Sequence, residues 1–159
     1  MINRLINEID NSLQNGNYLI ALMAALILPD ICGKAEYPNE QKSSIRYIRW
    51  YDEWIGQYET YEGTEMPFPN GKIAYDLRNS FVHEGSPKIH EEKNNLTSFK
   101  LINNKLWICG GSSMICDNGD RELEINISNY IWKLCACSKS YYEKNKEKFK
   151  FLENAQIDF

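Results

Sequence analysis

A chain of 159 residues with 43% hydrophobic and 25% charged side chains has the size and composition of one globular domain, residues 1–159. These proportions exclude intrinsic disorder. A net charge of −4, from 18 basic and 22 acidic side chains, excludes a protein that coats nucleic acid by charge alone. Charge is uneven along the chain: residues 1–85 hold 7 basic and 12 acidic side chains, residues 86–159 hold 11 and 10. Six lysines between Lys133 and Lys150, against Glu143 and Glu147, read as a solvated helix face or as a weak phosphate-contacting surface.

Ile2, Leu5, Ile6, Ile9 and Leu13 fall at helical spacing, and Asn15-Gly16-Asn17 stops that helix. Tyr18–Leu28 is apolar on nearly all sides, as a buried central helix is. Pro29-Asp30 is expected to break or kink it and Cys32-Gly33 to end it. The apolar run Tyr18–Pro29 is short of the ~20 residues a bilayer requires, and it follows acidic Glu8 and Asp10. A cytoplasmic protein with no membrane partner is the expectation. Its five cysteines (Cys32, Cys109, Cys116, Cys135, Cys137) then read as reduced thiols.

Ser43 or Ser44 is placed to cap a third helix running to about Tyr58, with Ile45, Ile48, Tyr51, Trp54 and Ile55 along its apolar stripe. Gly63, Pro67 and Pro69 mark a loop over residues 59–70, and its acidic aromatic part, Tyr58–Glu65, has no assignable role. A fourth helix is predicted from Asn70 to Gly85. The period then changes. Ser98–Asn103 and Leu106–Cys109 surround Asn103-Asn104, and Met114–Cys116 and Glu122–Ile127 flank Asp117-Asn118-Gly119-Asp120. Asn-Gly between such runs signals a hairpin, so a β insert is expected at about 96–127. Ser128 is expected to cap a last helix to about Lys150, with Ile131, Leu134, Cys135 and Tyr142 facing inward. The fold class is mainly α: a helical bundle with an inserted antiparallel β-hairpin or meander.

Only two histidines are present, His83 in the last turn of the fourth helix and His90 in a polar stretch. The apolar line of that helix is Ile73, Leu77 and Phe81; Asp76, Asn79 and His83 form a separate polar line. Arg78 lies one step round from Asn79, within reach of the same edge. An imidazole moves protons near neutral pH, a guanidinium grips phosphate with two prongs, and an amide orients either one. RNA cleavage needs little more: deprotonation of a 2′-hydroxyl, stabilisation of the phosphorane charge and protonation of the leaving oxygen. The same residues also suit a purely structural role, because a cationic histidine is favoured in a last helical turn and Asp76 can pair with Lys72.

Arg78-Asn79-Ser80-Phe81-Val82-His83 resembles the R-x4-H motif of the HEPN family of small helical-bundle proteins, in the form with Asn after Arg. The motif closes a helix that follows an apolar helical hairpin, and another long helix follows. The resemblance covers roughly residues 1–85 and 128–150, and the β insert departs from the plain bundle. Residues 25–38 are also similar to a group of uncharacterised bacterial proteins of this size, with no mechanism attached to that segment.

The resemblance implies a HEPN-like bundle and a metal-independent endoribonuclease without cofactor, of the toxin–antitoxin, CRISPR or phage-defence kind. It implies a homodimer in which the two motifs meet at the two-fold axis, with RNA as substrate and an antitoxin or nucleotidyltransferase as a partner. Arg78 would hold the scissile phosphate, His83 would act as general base or acid, and Asn79 would position one of them. Products would carry a 2′,3′-cyclic phosphate and a 5′-hydroxyl. The alternative is a non-catalytic HEPN module that binds nucleotides or another protein, which the acidic N-terminal half favours.

Around the motif, Asp76, Arg46 and Arg49 are the candidate substrate-binding residues. Arg46-Tyr47-Ile48-Arg49-Trp50-Tyr51 mixes cations and aromatics as an RNA-stacking surface does, and amphipathic core packing with a charged edge explains it equally. No metal site is expected, because Cys109-x6-Cys116 and Cys135-x-Cys137 match no familiar zinc spacing.

Overall fold

The computed structural model describes residues 1–58, 70–84, 98–103, 112–115 and 121–152. Among the described residues six α-helices dominate: α1 (Ile2–Gln14), α2 (Tyr18–Ala25), α3 (Leu28–Glu36), α4 (Ser43–Trp54), α5 (Gly71–Asn79) and α6 (Ile127–Lys144). Helix α1 buries Ile2, Ile6 and Ile9, the stripe its spacing predicts. The Asn15-Gly16-Asn17 stop works because Gly16 takes φ +77°, a left-handed conformation that costs glycine nothing.

Pro29 starts a helix rather than ending one. It sits in the first turn of α3, where it forfeits no helical hydrogen bond, and the chain stays helical through Cys32 and Gly33 to Glu36. Together α2 and α3 make a 19-residue apolar stretch of mean hydropathy 1.6, long enough by length and composition to cross a membrane, yet half of it is buried inside the protein.

Two other boundaries differ from expectation. Helix α4 ends at Trp54 and a 3₁₀ turn, Gly56–Tyr58, follows it. Helix α6 starts at Ile127 with Asn126 as its cap, whose side chain accepts from the Asn129 N–H at 3.1 Å. Ser128 instead donates to the Asn103 side chain at 2.8 Å. Beyond Lys144 the chain continues as a 3₁₀ turn, Lys146–Leu152, that buries Phe149.

The core is unusually aromatic. Tyr47, Trp50 and Tyr51 of α4 are fully buried with Tyr130 and Tyr141 of α6, Leu22, Leu26, Leu28, Ile55 and Leu77. Tyr141 meets Trp50 edge-on at 5.5 Å and Trp54 at 4.8 Å between ring centres, the geometry that the ring quadrupole favours. Helix α6 packs on α1, α2 and α3, while α4 bridges α3 and α5.

The β insert is a three-stranded sheet, and it is mixed. Strands β1 (Ser98–Ile102), β2 (Ser112–Ile115) and β3 (Arg121–Asn126) lie in the order β1-β3-β2. Strand β1 runs parallel to β3, which corrects the all-antiparallel insert expected; β2 pairs β3 antiparallel, as the segments flanking Asp117–Asp120 were expected to do. Two causes favour β3 in the centre. Ile125, Glu124 and Asn126 are all buried, which suits a strand covered on both faces, and the parallel register sets Lys100 beside Glu124, whose charges meet at 2.6 Å. The Leu106–Cys109 run, the Asp117–Asp120 turn, His90, Cys109, Cys116 and the loop over residues 59–69 lie outside the described residues.

Candidate functional site

The site is built on α5. Asn70 caps the helix, its side chain accepting from the Ile73 N–H at 2.9 Å. Asp52 of α4 adds a second anchor: its carboxylate accepts from the Gly71 N–H at 2.6 Å. That approach requires glycine, since a Cβ on Gly71 would stand 2.4 Å from the Ile48 carbonyl oxygen. Ile73, Ala74 and Leu77 face the core. The opposite edge carries Asp76, Arg78 and Asn79, all half-buried.

The α-helix does not continue to Gly85. It ends at Asn79 and passes into a π-helical turn, Ser80–Glu84, within which Ser80 and Phe81 are buried. In an α-helix residues 78 and 83 lie about 140° apart, five steps of about 100°. The wider i→i+5 turn takes fewer degrees per residue, so the backbone of His83 comes round toward the side that carries Arg78. Of His83 only the backbone is described.

Arg78 is held from two sides. Its Nη1 donates to Asn79 Oδ1 at 2.9 Å, so the amide that follows the arginine braces the guanidinium. Its Nη2 lies 3.1 Å from Oδ2 of Asp30, in the first turn of α3. The Arg78 and Asp30 side chains are 24% and 20% exposed, so the ion pair is sheltered but still reaches water. Its alignment is poor: Asp30 Oδ2 and Arg78 Nε are both buried without a hydrogen-bond partner. Burial pushes the Asp30 carboxyl above its usual range, against the pull of Arg78 and then Arg46. Arg78 also lies 5.9 Å from the centre of the Tyr75 ring.

Helix α4 completes the surroundings. The Tyr47 hydroxyl is fully buried without a hydrogen-bond partner. Burial first, then nearby Tyr130 and Asp30, raises its pKa well above that of a free phenol. Arg46 donates to the Glu40 carbonyl and lends its charge to Asp30. Arg49 turns elsewhere, lying 4.1 Å over the Tyr37 ring and 3.8 Å from Glu53. The Arg46–Tyr51 segment therefore divides, with Tyr47, Trp50 and Tyr51 in the core, Arg46 near Asp30 and Arg49 turned away.

Asp30 is the neighbour of Arg78 that sequence reasoning missed; Tyr47 stood there only within the Arg46–Tyr51 run. Pro29-Asp30 reads there only as a helix breaker. The structure gives three residues in this part of α3 a physical role. Asp30 meets Arg78, Cys32 is fully buried, and Gly33 lets α4 approach so closely that a Cβ would sit 2.7 Å from the Arg46 carbonyl oxygen. No protein-family model, curated protein or solved structure matches the chain.

Proposed function

We propose that the protein is a metal-independent endoribonuclease of HEPN type, acting in the cytoplasm as a homodimer. One observation carries this reading. A braced, water-reachable guanidinium, Arg78, sits on a helix whose end unwinds into the π turn that bears His83. Bulges of that type occur often at functional sites, because they re-aim the residues that follow. In this reading Arg78 binds the scissile phosphate and stabilises the charge that develops there. His83 takes the proton of the 2′-hydroxyl in one copy and protonates the leaving 5′-oxygen in the other. Asn79 holds the guanidinium in place through Nη1. Pairing two copies doubles the positive charge over the scissile bond, which offsets the overall −4.

A second reading is favoured by the Asp30 contact. A guanidinium already facing a carboxylate is partly neutralised, as suits a catalytically silent HEPN module that binds nucleotides or another protein. Labelled RNA incubated with the protein in EDTA separates the two. Arg78→Ala and His83→Ala should each lower the cleavage rate by about a hundredfold or more while leaving the circular dichroism spectrum unchanged. Cleavage indifferent to both substitutions overturns the nuclease reading. Absence of cleavage by the unaltered protein, with nucleotide binding retained, favours the silent module.

A further inference from the structure

We propose that Asp30 is an internal stand-in for the substrate phosphate, occupying Arg78 until a phosphate oxyanion displaces it. The inference rests on the reading of Arg78 as a phosphate ligand and adds to it the residue that controls its availability. Three features support displacement over permanent structural pairing.

The pair is one-pronged. Nη2 faces Asp30 Oδ2 at 3.1 Å and Nη1 is spent on Asn79, while Nε–H has no acceptor. The Nε and Nη2 hydrogens form the edge that grips a tetrahedral oxyanion with two parallel bonds. A phosphate oxygen pair can satisfy both, where the carboxylate meets one.

The carboxylate is also poorly served where it sits. Oδ2 is buried without an aligned donor, and burial outweighs the attraction of Arg78 and Arg46. A phosphate therefore competes with a carboxylate that is held at a desolvation cost.

A third feature is the unsatisfied Tyr47 hydroxyl, fully buried on the neighbouring helix and electrostatically coupled to both Asp30 and Arg78. With Asp30 Oδ2 and Arg78 Nε of the pair itself, it makes three buried polar atoms without a hydrogen-bond partner, one each on α3, α4 and α5. Structural ion pairs normally satisfy such atoms.

The test is a double-mutant cycle on Asp30→Asn and Arg78→Ala, in the full chain, with a fluorescent all-2′-O-methyl oligonucleotide that cannot be cleaved. Asp30→Asn should tighten binding about five- to tenfold when Arg78 is present. In the Arg78→Ala background it should change affinity less than about twofold. Equal tightening in both backgrounds would reduce Asp30 to a general surface charge, and unchanged or weaker binding by Asp30→Asn overturns the proposal. So does loss of the fold in Asp30→Asn, which would make the carboxylate a structural anchor. Failure of all four proteins to bind the oligonucleotide would refute the RNA reading instead. The Asp30 role is then decided by phenylglyoxal labelling of Arg78, read by mass spectrometry of its peptide. Faster labelling in Asp30→Asn, suppressed by inorganic phosphate, is the expected result; an unaltered rate overturns it.

Discussion

Gly71→Ala should unfasten the helix that carries the site. A Cβ on Gly71 would lie 2.4 Å from the Ile48 carbonyl oxygen, 2.9 Å from Ile48 Cα and 3.0 Å from Asp52 Oδ1. Two of those atoms are backbone of α4, so no side chain can swing aside; α5 must move. Overpacking of this kind costs about 1–3 kcal/mol. The 2.6 Å bond from the Gly71 N–H to Asp52 is stretched by the same motion. A hydrogen bond to a charged group contributes about 1.5–3 kcal/mol when intact. Alanine returns about 0.4–1 kcal/mol by restricting the unfolded chain. The net loss is about 2–4 kcal/mol, or about 5–15 °C in Tm for a domain of this size. Arg78 lies seven residues along α5, about 10 Å from Gly71, so the shift also displaces the guanidinium from Asp30. Urea denaturation should show a lower midpoint with an unchanged slope, and RNA cleavage should fall with it. A Gly71→Ala protein within about 0.5 kcal/mol of the original would refute the close α4–α5 contact and the anchoring of α5 built on it.

Other substitutions and pH isolate single terms. Gly16 has open space around its Cα but φ +77°, so Gly16→Ala should cost about 1 kcal/mol from backbone conformation alone, and Gly16→Asn less, by chemical denaturation. Asn70→Ala should cost about 1 kcal/mol through loss of the α5 cap, while Asn70→Asp retains the acceptor and keeps stability within a few tenths. Burial pushes the Cys32 and Cys135 thiols up to about 12, so at pH 8 alkylation mapped by mass spectrometry should spare both until the protein unfolds. The same shifts set an alkaline limit. Unfolded thiols ionise near 9 while these two resist, so stability is full below about pH 9 and falls as pH rises toward 12, by at most about 1.4 kcal/mol per pH unit for each group. Denaturation midpoints that stay flat between pH 8 and 11 would contradict the burial of both thiols.

Local patterns in the chain foretell much of the bundle, and fail where distant segments decide. Ile2, Ile6 and Ile9 announce the buried stripe of α1, and the Ile73, Leu77 and Phe81 line is buried as spaced. Pro29 misleads because proline ends one helix and begins another with the same residue; only the packing of Leu28 and Cys32 in the core selects the second outcome. The strand order escaped because alternation reports a strand and its faces, not its neighbour; the parallel partnership of β1 with β3 depends on contacts across more than twenty residues. The π turn escaped because i→i+4 and i→i+5 ladders share nearly one hydrophobic pattern over so few residues. Arg78, Asn79 and His83 stood out by residue type and spacing. Asp30 lies on another helix, 48 positions earlier, and becomes a partner of Arg78 only once α3, α4 and α5 are stacked.

The end groups of cleaved RNA test the central claim most directly. A guanidinium and an imidazole that act on the substrate's own 2′-hydroxyl leave a 2′,3′-cyclic phosphate and a 5′-hydroxyl in the presence of EDTA, detectable by mass spectrometry of a short synthetic RNA, and a 2′-deoxy residue at the scissile position should abolish the products. Products with 3′-hydroxyl and 5′-phosphate ends, or cleavage that survives the 2′-deoxy substitution, would contradict the account.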